Sequence, residues 1–193
     1  MEPLQQFDAE ALYLELARQI KAGLTSLDNV AIVGIYSGGA WLAERLALDC
    51  QITNPVGYID VSFYRDDYAQ KGLHADVKPS QIPFSVDGAN IILVDDVLFT
   101  GRTTRAAINE LFDFGRPARI LLASLVDRGG RELPYAADFV AQTVSLPPEL
   151  TLLLTRATAP DQTLQLLLSL VESTPGTDKK DTSDDLSNKK PPN

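Results

Sequence analysis

Ile91-Ile-Leu-Val-Asp95-Asp96-Val-Leu-Phe-Thr100-Gly101-Arg-Thr-Thr104-Arg-Ala-Ala-Ile-Asn-Glu-Leu111 decides how this chain is read. Apolar residues from Ile91 to Val94 form a run suited to a strand buried on both faces. Two aspartates follow, then a Thr-Gly-Arg-Thr turn, then apolar residues at helical period. In an open parallel sheet, ligands bind beyond the carboxyl ends of the strands. The N-terminus of the helix after such a strand carries unpaired N–H groups and the positive end of the dipole, which attract phosphate. Gly101 lets the backbone approach closely, and the hydroxyls of Thr100, Thr103 and Thr104 can donate. Carboxylates repel phosphate, so Asp95 and Asp96 suit the hydroxyls of a sugar, with magnesium offsetting their charge. A sugar phosphate is the ligand this chemistry implies. Taken alone, an Asp pair after a strand does no more than cap the turn, but strand, carboxylates, glycine turn and helix together favour a binding unit.

Outward from this unit, strands and helices alternate. Asp8 to Gly23 has Ala9, Leu12, Leu16, Gln19 and Ile20 at near-helical spacing, with Asp8 to cap and Gly23 to stop. Val30–Tyr36 reads as a buried strand, broken by Ser37-Gly38-Gly39 before helical spacing resumes over Ala40–Leu48. Val56–Phe63 reads as a second strand, and Tyr64–Pro83 as a long polar excursion. Strand Ile91–Val94, helix Thr103–Phe114, strand Ala118–Val126, a charged loop Asp127–Tyr135 and strand Asp138–Val144 follow. Thr151–Thr155 reads as a short strand and Asp161–Val171 as a helix. The pattern predicts an α/β domain with a mostly parallel sheet over residues 1–171. Residues 172–193 are nearly devoid of apolar side chains and are expected to be a disordered polar tail.

The bulk properties exclude several classes. The chain has 193 residues, enough for one sizeable core, and a net charge of −9, which does not favour a nucleic-acid coat. Cys50 is the only cysteine, so no disulfide forms within the chain. The start, MEPLQQFDAEALYLEL, lacks the layout of a secretory signal, and no apolar run reaches the ~18 residues of a membrane span. A cytoplasmic location is expected. His74, the single histidine, reads as a solvated loop residue, and Trp41 and Tyr36 as packing or subunit-contact residues.

Val94–Thr103, VDDVLFTGRT, resembles the phosphoribosyl-pyrophosphate (PRPP) signature of type I phosphoribosyltransferases. Together with NPVGYIDVSFYRDD (Asn54–Asp67) and GRPARILLASLVDRGGRELPYAADFV (Gly115–Val140), it is similar to the PyrR family, pyrimidine-operon attenuation regulators with uracil phosphoribosyltransferase activity. The resemblance covers roughly residues 5–160. It implies a type I phosphoribosyltransferase fold with a small hood, and the reaction of uracil with PRPP to give UMP and pyrophosphate, with Mg²⁺ held mainly through PRPP. By this resemblance Asp95 and Asp96 hold the ribose hydroxyls. Val97, Leu98, Phe99, Thr100, Gly101, Arg102, Thr103 and Thr104 form the phosphate loop. Arg65 belongs to the loop that closes over PRPP. Ser37, Gly38 and Gly39 form the pyrophosphate loop, and Val126, Asp127 and Arg128 receive the base.

The sequence departs from the family at three places. Ser37-Gly38-Gly39 replaces Thr-Arg-Gly, leaving backbone N–H groups to cradle pyrophosphate without the arginine. In the loop that the family uses to grip messenger RNA, Gly130 replaces a histidine and Ala136 an arginine. On the first helix, Ala17 and Lys21 stand where the family has threonine and histidine. Arg131, Lys21 and Arg18 are left as the candidate contacts to a leader mRNA, whose binding is expected to be weak. The resemblance also implies a homo-oligomer, and UMP or UTP as regulatory ligands. A nucleotide sensor with negligible turnover, or a phosphoribosyltransferase for another base, would use the same phosphate unit.

Overall fold

The computed structural model describes residues 7–61, 79–158, 162 and 164–172. Helix α1 (Ala9–Leu24) opens at Asp8, whose carboxylate accepts the Ala11 N–H at 3.0 Å, the N-cap expected from sequence. Strand β1 (Val30–Ile35), helix α2 (Gly38–Asp49) and a short strand β2 (Gly57–Ile59) follow. Then come β3 (Asn90–Leu98), α3 (Arg102–Phe114), β4 (Arg119–Asp127) and β5 (Phe139–Thr143). β6 (Leu150–Thr158) and β7 (Leu164–Glu172) complete the described chain.

Five strands form one parallel sheet in the order β2-β1-β3-β4-β5. Its centre is fully apolar because helices cover both faces. Tyr13, Leu16 and Ile20 of α1 and Leu42 and Leu46 of α2 pack with Ile32, Ile92, Val94 and Ala123 on one face. Ala106, Ala107 and Leu111 of α3 pack with Val33, Ile35, Ile91 and Leu93 on the other. Alternate residues of β1 and β3 therefore serve opposite cores. β5 is an edge strand, and Gln19 of α1 satisfies its Val140, donating to the carbonyl at 2.9 Å and accepting from the N–H at 3.1 Å.

β6 and β7 form a separate antiparallel pair, where sequence spacing predicted a helix over Asp161–Val171. The run LQLLLSLVE has good helix formers, yet Leu166 and Leu168 are buried while Leu167 and Ser169 are exposed. That is a strand's period of two, and pairing with the equally apolar β6 overrides propensity. Leu152, Leu154, Leu166 and Leu168 join the α1 core. The β7 edge is held by Glu10, which accepts the Leu166 N–H at 2.8 Å and pairs with Arg45 at 2.7 Å. That arginine's hydrogen bond is the main reason the Glu10 carboxyl titrates below the usual carboxylate range.

Other boundaries shift in ways that matter for the site. β3 does not stop at Val94 but continues through both aspartates to Leu98. α2 begins at Gly38 rather than Ala40, so the two glycines are its first turn and not a preceding linker. β2 ends at Ile59, short of the expected Phe63, and Phe63 lies outside the described residues. Arg65, His74 and residues 173–193 also lie outside them.

Candidate active site

The site forms where β1 and β3 end and α2 and α3 begin. Asp95 is buried within β3, and its Oδ1 accepts the N–H of Asp96 at 3.0 Å. Asp96 is half-buried and leans on α2. A Cβ built on Gly38 would lie 2.4 Å from Asp96 Oδ2, and one on Gly39 would lie 2.2 Å from the Val94 carbonyl oxygen. The first turn of α2 thus sits directly on the strand that carries the carboxylates, and only glycine permits that approach. Ser37 closes the connection from β1, which contains a cis Tyr36–Ser37 peptide bond.

Beyond Leu98 the chain turns through Phe99, Thr100 and Gly101 into α3. Gly101 is the N-cap, at φ +91°, in the left-handed region that favours glycine. The Arg102 N–H donates to Thr100 Oγ1 at 3.3 Å, and the Arg105 N–H to the Gly101 carbonyl at 2.9 Å. Thr104 is fully buried in the first turn of α3, and its Oγ1 has no hydrogen-bond partner within the protein among the described residues. A buried hydroxyl left so costs about 1–3 kcal/mol, which an acceptor brought by a ligand would recover. Thr103 stands half-buried beside it.

Sequence reasoning missed Ser124. It is fully buried, accepts the Leu98 N–H at 3.1 Å and donates to the Val126 carbonyl at 2.9 Å. It thereby holds the ends of β3 and β4 together just below the turn into α3. The signal was available, because Ser124 is the lone hydroxyl in RILLASLVD.

The segment after β4 wraps the turn between β3 and α3. The Arg128 N–H donates to the Leu98 carbonyl, and the N–H groups of Glu132 and Leu133 both donate to the Thr100 carbonyl, each at 3.0 Å. Glu132 also pairs with Arg102. Val126 is buried in β4, and Asp127 Oδ1 accepts the Gly129 N–H at 2.9 Å. Arg128, expected beside the base, is buried. Its guanidinium stacks 4.1 Å from the Phe99 ring and donates to Thr151 Oγ1 at 3.2 Å and the Leu150 carbonyl at 2.9 Å, tying the site to β6. Gly130, at φ +69°, lies against the same ring, so that a Cβ there would be 2.4 Å from Phe99 Cε2.

Of the three residues expected to meet RNA, two are engaged by groups of the chain itself. Arg18 is engaged bidentately by Glu15, with 2.7 Å contacts, while Lys21 is exposed in the last turn of α1. Arg131 is turned inward, its guanidinium bonded to Asp127 and to the carbonyls of Phe99, Gly129 and Tyr135. Among the described residues, no group of three or more His, Cys, Asp or Glu side chains is placed to hold a metal alone, and no helix is long and apolar enough to cross a membrane.

A parallel sheet carries a carboxylate pair near the carboxyl end of its central strand, with a glycine-capped helix behind it. Residues 5–146 match the phosphoribosyl transferase domain family. The chain is 52% identical over 152 residues to the bifunctional protein PyrR of Ralstonia nicotianae, covering 78% of this chain and 87% of that one. It is 46% identical over 169 residues to the bifunctional protein PyrR of Nitrosococcus oceani, covering 86% and 93%. The chain belongs to the PyrR family of phosphoribosyltransferases. The fold is also that of the hypoxanthine phosphoribosyltransferase of Staphylococcus aureus, at a TM-score of 0.56 and 21% identity over 74% of this chain and 76% of that one.

Proposed function

We propose that this protein transfers a phosphoribosyl group from PRPP to uracil, forming UMP and pyrophosphate, and that it couples nucleotide binding to control of pyrimidine genes. The observation that carries this reading is the buried, unpartnered Thr104 hydroxyl in the first turn of a helix capped by left-handed Gly101, directly after the strand bearing Asp95 and Asp96. A 5′-phosphate at that helix N-terminus gives the hydroxyl an acceptor and meets the dipole. The ribose hydroxyls then donate to the carboxylates. In the reaction the bond from C1 to the pyrophosphate oxygen breaks, the bond from C1 to uracil N1 forms, and the N1 proton leaves. Little covalent work falls to the protein. Positioning and charge stabilisation carry the rate.

Magnesium fits this donor set. It binds through one or two carboxylates together with substrate phosphates, and Asp95 and Asp96 would stand beside the PRPP through which it would mainly be held. When bound, it would neutralise charge developing on the leaving pyrophosphate. The chain's own contribution at that end is the first turn of α2, where Ser37, Gly38 and Gly39 present backbone rather than the arginine of the family pattern. Arg65, from the segment outside the described residues, is the cation we assign to closure over PRPP.

On the regulatory side, the inward engagement of Arg131 supports weak leader-RNA binding at physiological salt, with Lys21 and Arg18 as the outward-facing cations of α1. We also read the protein as a cytoplasmic homo-oligomer, which light scattering on the purified protein tests. The deciding experiment is turnover with PRPP and a panel of bases, beside calorimetric binding of UMP. Uracil is the expected substrate. Tight UMP binding without turnover on any base would make the protein a sensor, and turnover on a purine alone would reassign the base.

A further inference from the structure

Arg131 is partly buried, with 24% of its side chain exposed. Its guanidinium reaches both sides of the proposed cleft. On the base side, Nη2 pairs with Asp127 Oδ2, and Nη1 donates to the Gly129 carbonyl at 3.4 Å. On the phosphate side, Nη1 donates to the Phe99 carbonyl. Nε donates to the Tyr135 carbonyl at 2.9 Å, closing the loop on itself. The other carboxylate oxygen of Asp127 accepts the Gly129 N–H, so both of its oxygens are oriented by groups of one turn. A planar guanidinium offers donors in several fixed directions, which a lysine ammonium on a flexible stem does not reproduce.

We propose that Arg131 is a positioning residue for phosphoribosyl transfer: by gripping Asp127 and the Phe99 carbonyl together, it sets the base-receiving turn in register with the phosphate loop. The assignment rests on the proposed function. The phosphate loop has a second attachment, the Glu132 and Leu133 N–H groups on the Thr100 carbonyl, whereas the described contacts to the Asp127 carboxylate come from Arg131 and the Gly129 N–H. Loss of Arg131 therefore falls hardest on the base.

The test compares unmodified protein with Arg131→Lys and Arg131→Met. The measurements are KM for uracil, KM for PRPP, kcat, binding of ribose 5-phosphate, and thermal melting. The expected result is a rise of about tenfold or more in the uracil KM in both variants, about one lost charge-assisted contact. Ribose 5-phosphate affinity should change less than about threefold, and lysine should fail to rescue. If both variants keep the uracil KM of the unmodified protein, Arg131 does not position the base site. If uracil and ribose 5-phosphate weaken in parallel with a fall in melting temperature, its role is general loop stability and the proposal is overturned. If the unmodified protein neither converts uracil nor binds UMP, the functional reading fails first, and this assignment falls with it. Arg131→Met in an Asp127→Asn background separates the pair from its parts, since the two effects should then be less than additive.

Discussion

Two helix N-termini stand side by side at the carboxyl end of the sheet, and both begin with glycine. At α2 the glycines are filled space: Gly39 lies on the Val94 carbonyl and Gly38 on the Asp96 carboxylate. At α3 the glycine is a conformation: Gly101 sits at φ +91°, with its nearest neighbours for a Cβ at 3.2 Å or beyond. The first arrangement brings a helix down onto a strand. The second leaves a turn open, with a buried hydroxyl waiting for a partner. The same residue type thus serves packing at one end and, under the proposed function, ligand binding at the other, and substitutions should separate the two.

The largest effect is expected at Gly39. Gly39→Ala drives a Cβ into backbone that cannot rotate away, and should cost about 3 kcal/mol, or roughly 10 °C in melting temperature. A melting curve superimposable on the unmodified protein would mean that α2 does not rest on β3. Gly101→Val comes next and acts in the other currency. A β-branched residue at φ +91° in the phosphate turn should reduce UMP affinity by about 100-fold or more, with a smaller loss of stability, about 1–3 kcal/mol. Normal UMP binding by calorimetry would remove the phosphate from this loop.

Asp95→Asn and Asp96→Asn should each weaken UMP and PRPP binding by about tenfold while melting within ~2 °C of the parent, because each loses a charged acceptor and keeps its shape. Unchanged UMP affinity in the double variant would detach the ribose from the carboxylates. Thr104→Val sharpens the contrast most directly. It keeps the volume and removes the orphaned hydroxyl, so the free protein should melt higher by about 2 °C while UMP affinity falls several-fold. A variant that loses stability and keeps affinity would show the hydroxyl to be structural. Gly38→Ala is the mildest. The Asp96 side chain can swing aside, and alanine favours the helix by about 1 kcal/mol over glycine, so stability should hardly change. Ribose binding should weaken by about threefold as the carboxylate moves, measured on the same calorimeter.

The unit of strand, glycine turn and helix was legible in the sequence because it is local. Strand, carboxylates, glycine turn and helix occupy one continuous stretch, and each has a short-range physical signature. The Asp8 cap was legible for the same reason. β7 was not, because a leucine-rich segment supports either a helix or a strand until a partner is known. Arg128 and Arg131 illustrate a second limit. The sequence places both in a turn-rich charged loop, and only the structure shows that Arg128 is buried against Phe99 and β6 and that Arg131 bonds to four acceptors of its own chain.

By itself the sequence determined the alternation of strands and helices as far as β5 and the position of the glycine turn between β3 and α3, since hydrophobic period and backbone permission act over a few residues. The tertiary structure alone decided which glycine is packed and which is open, that Ser124 joins two strand ends, and that a distant hairpin holds Arg128. Those outcomes depend on what lies across the sheet or beyond the next loop. Burial and hydrogen-bond satisfaction are set by neighbours far apart in the chain, and no local pattern carries them.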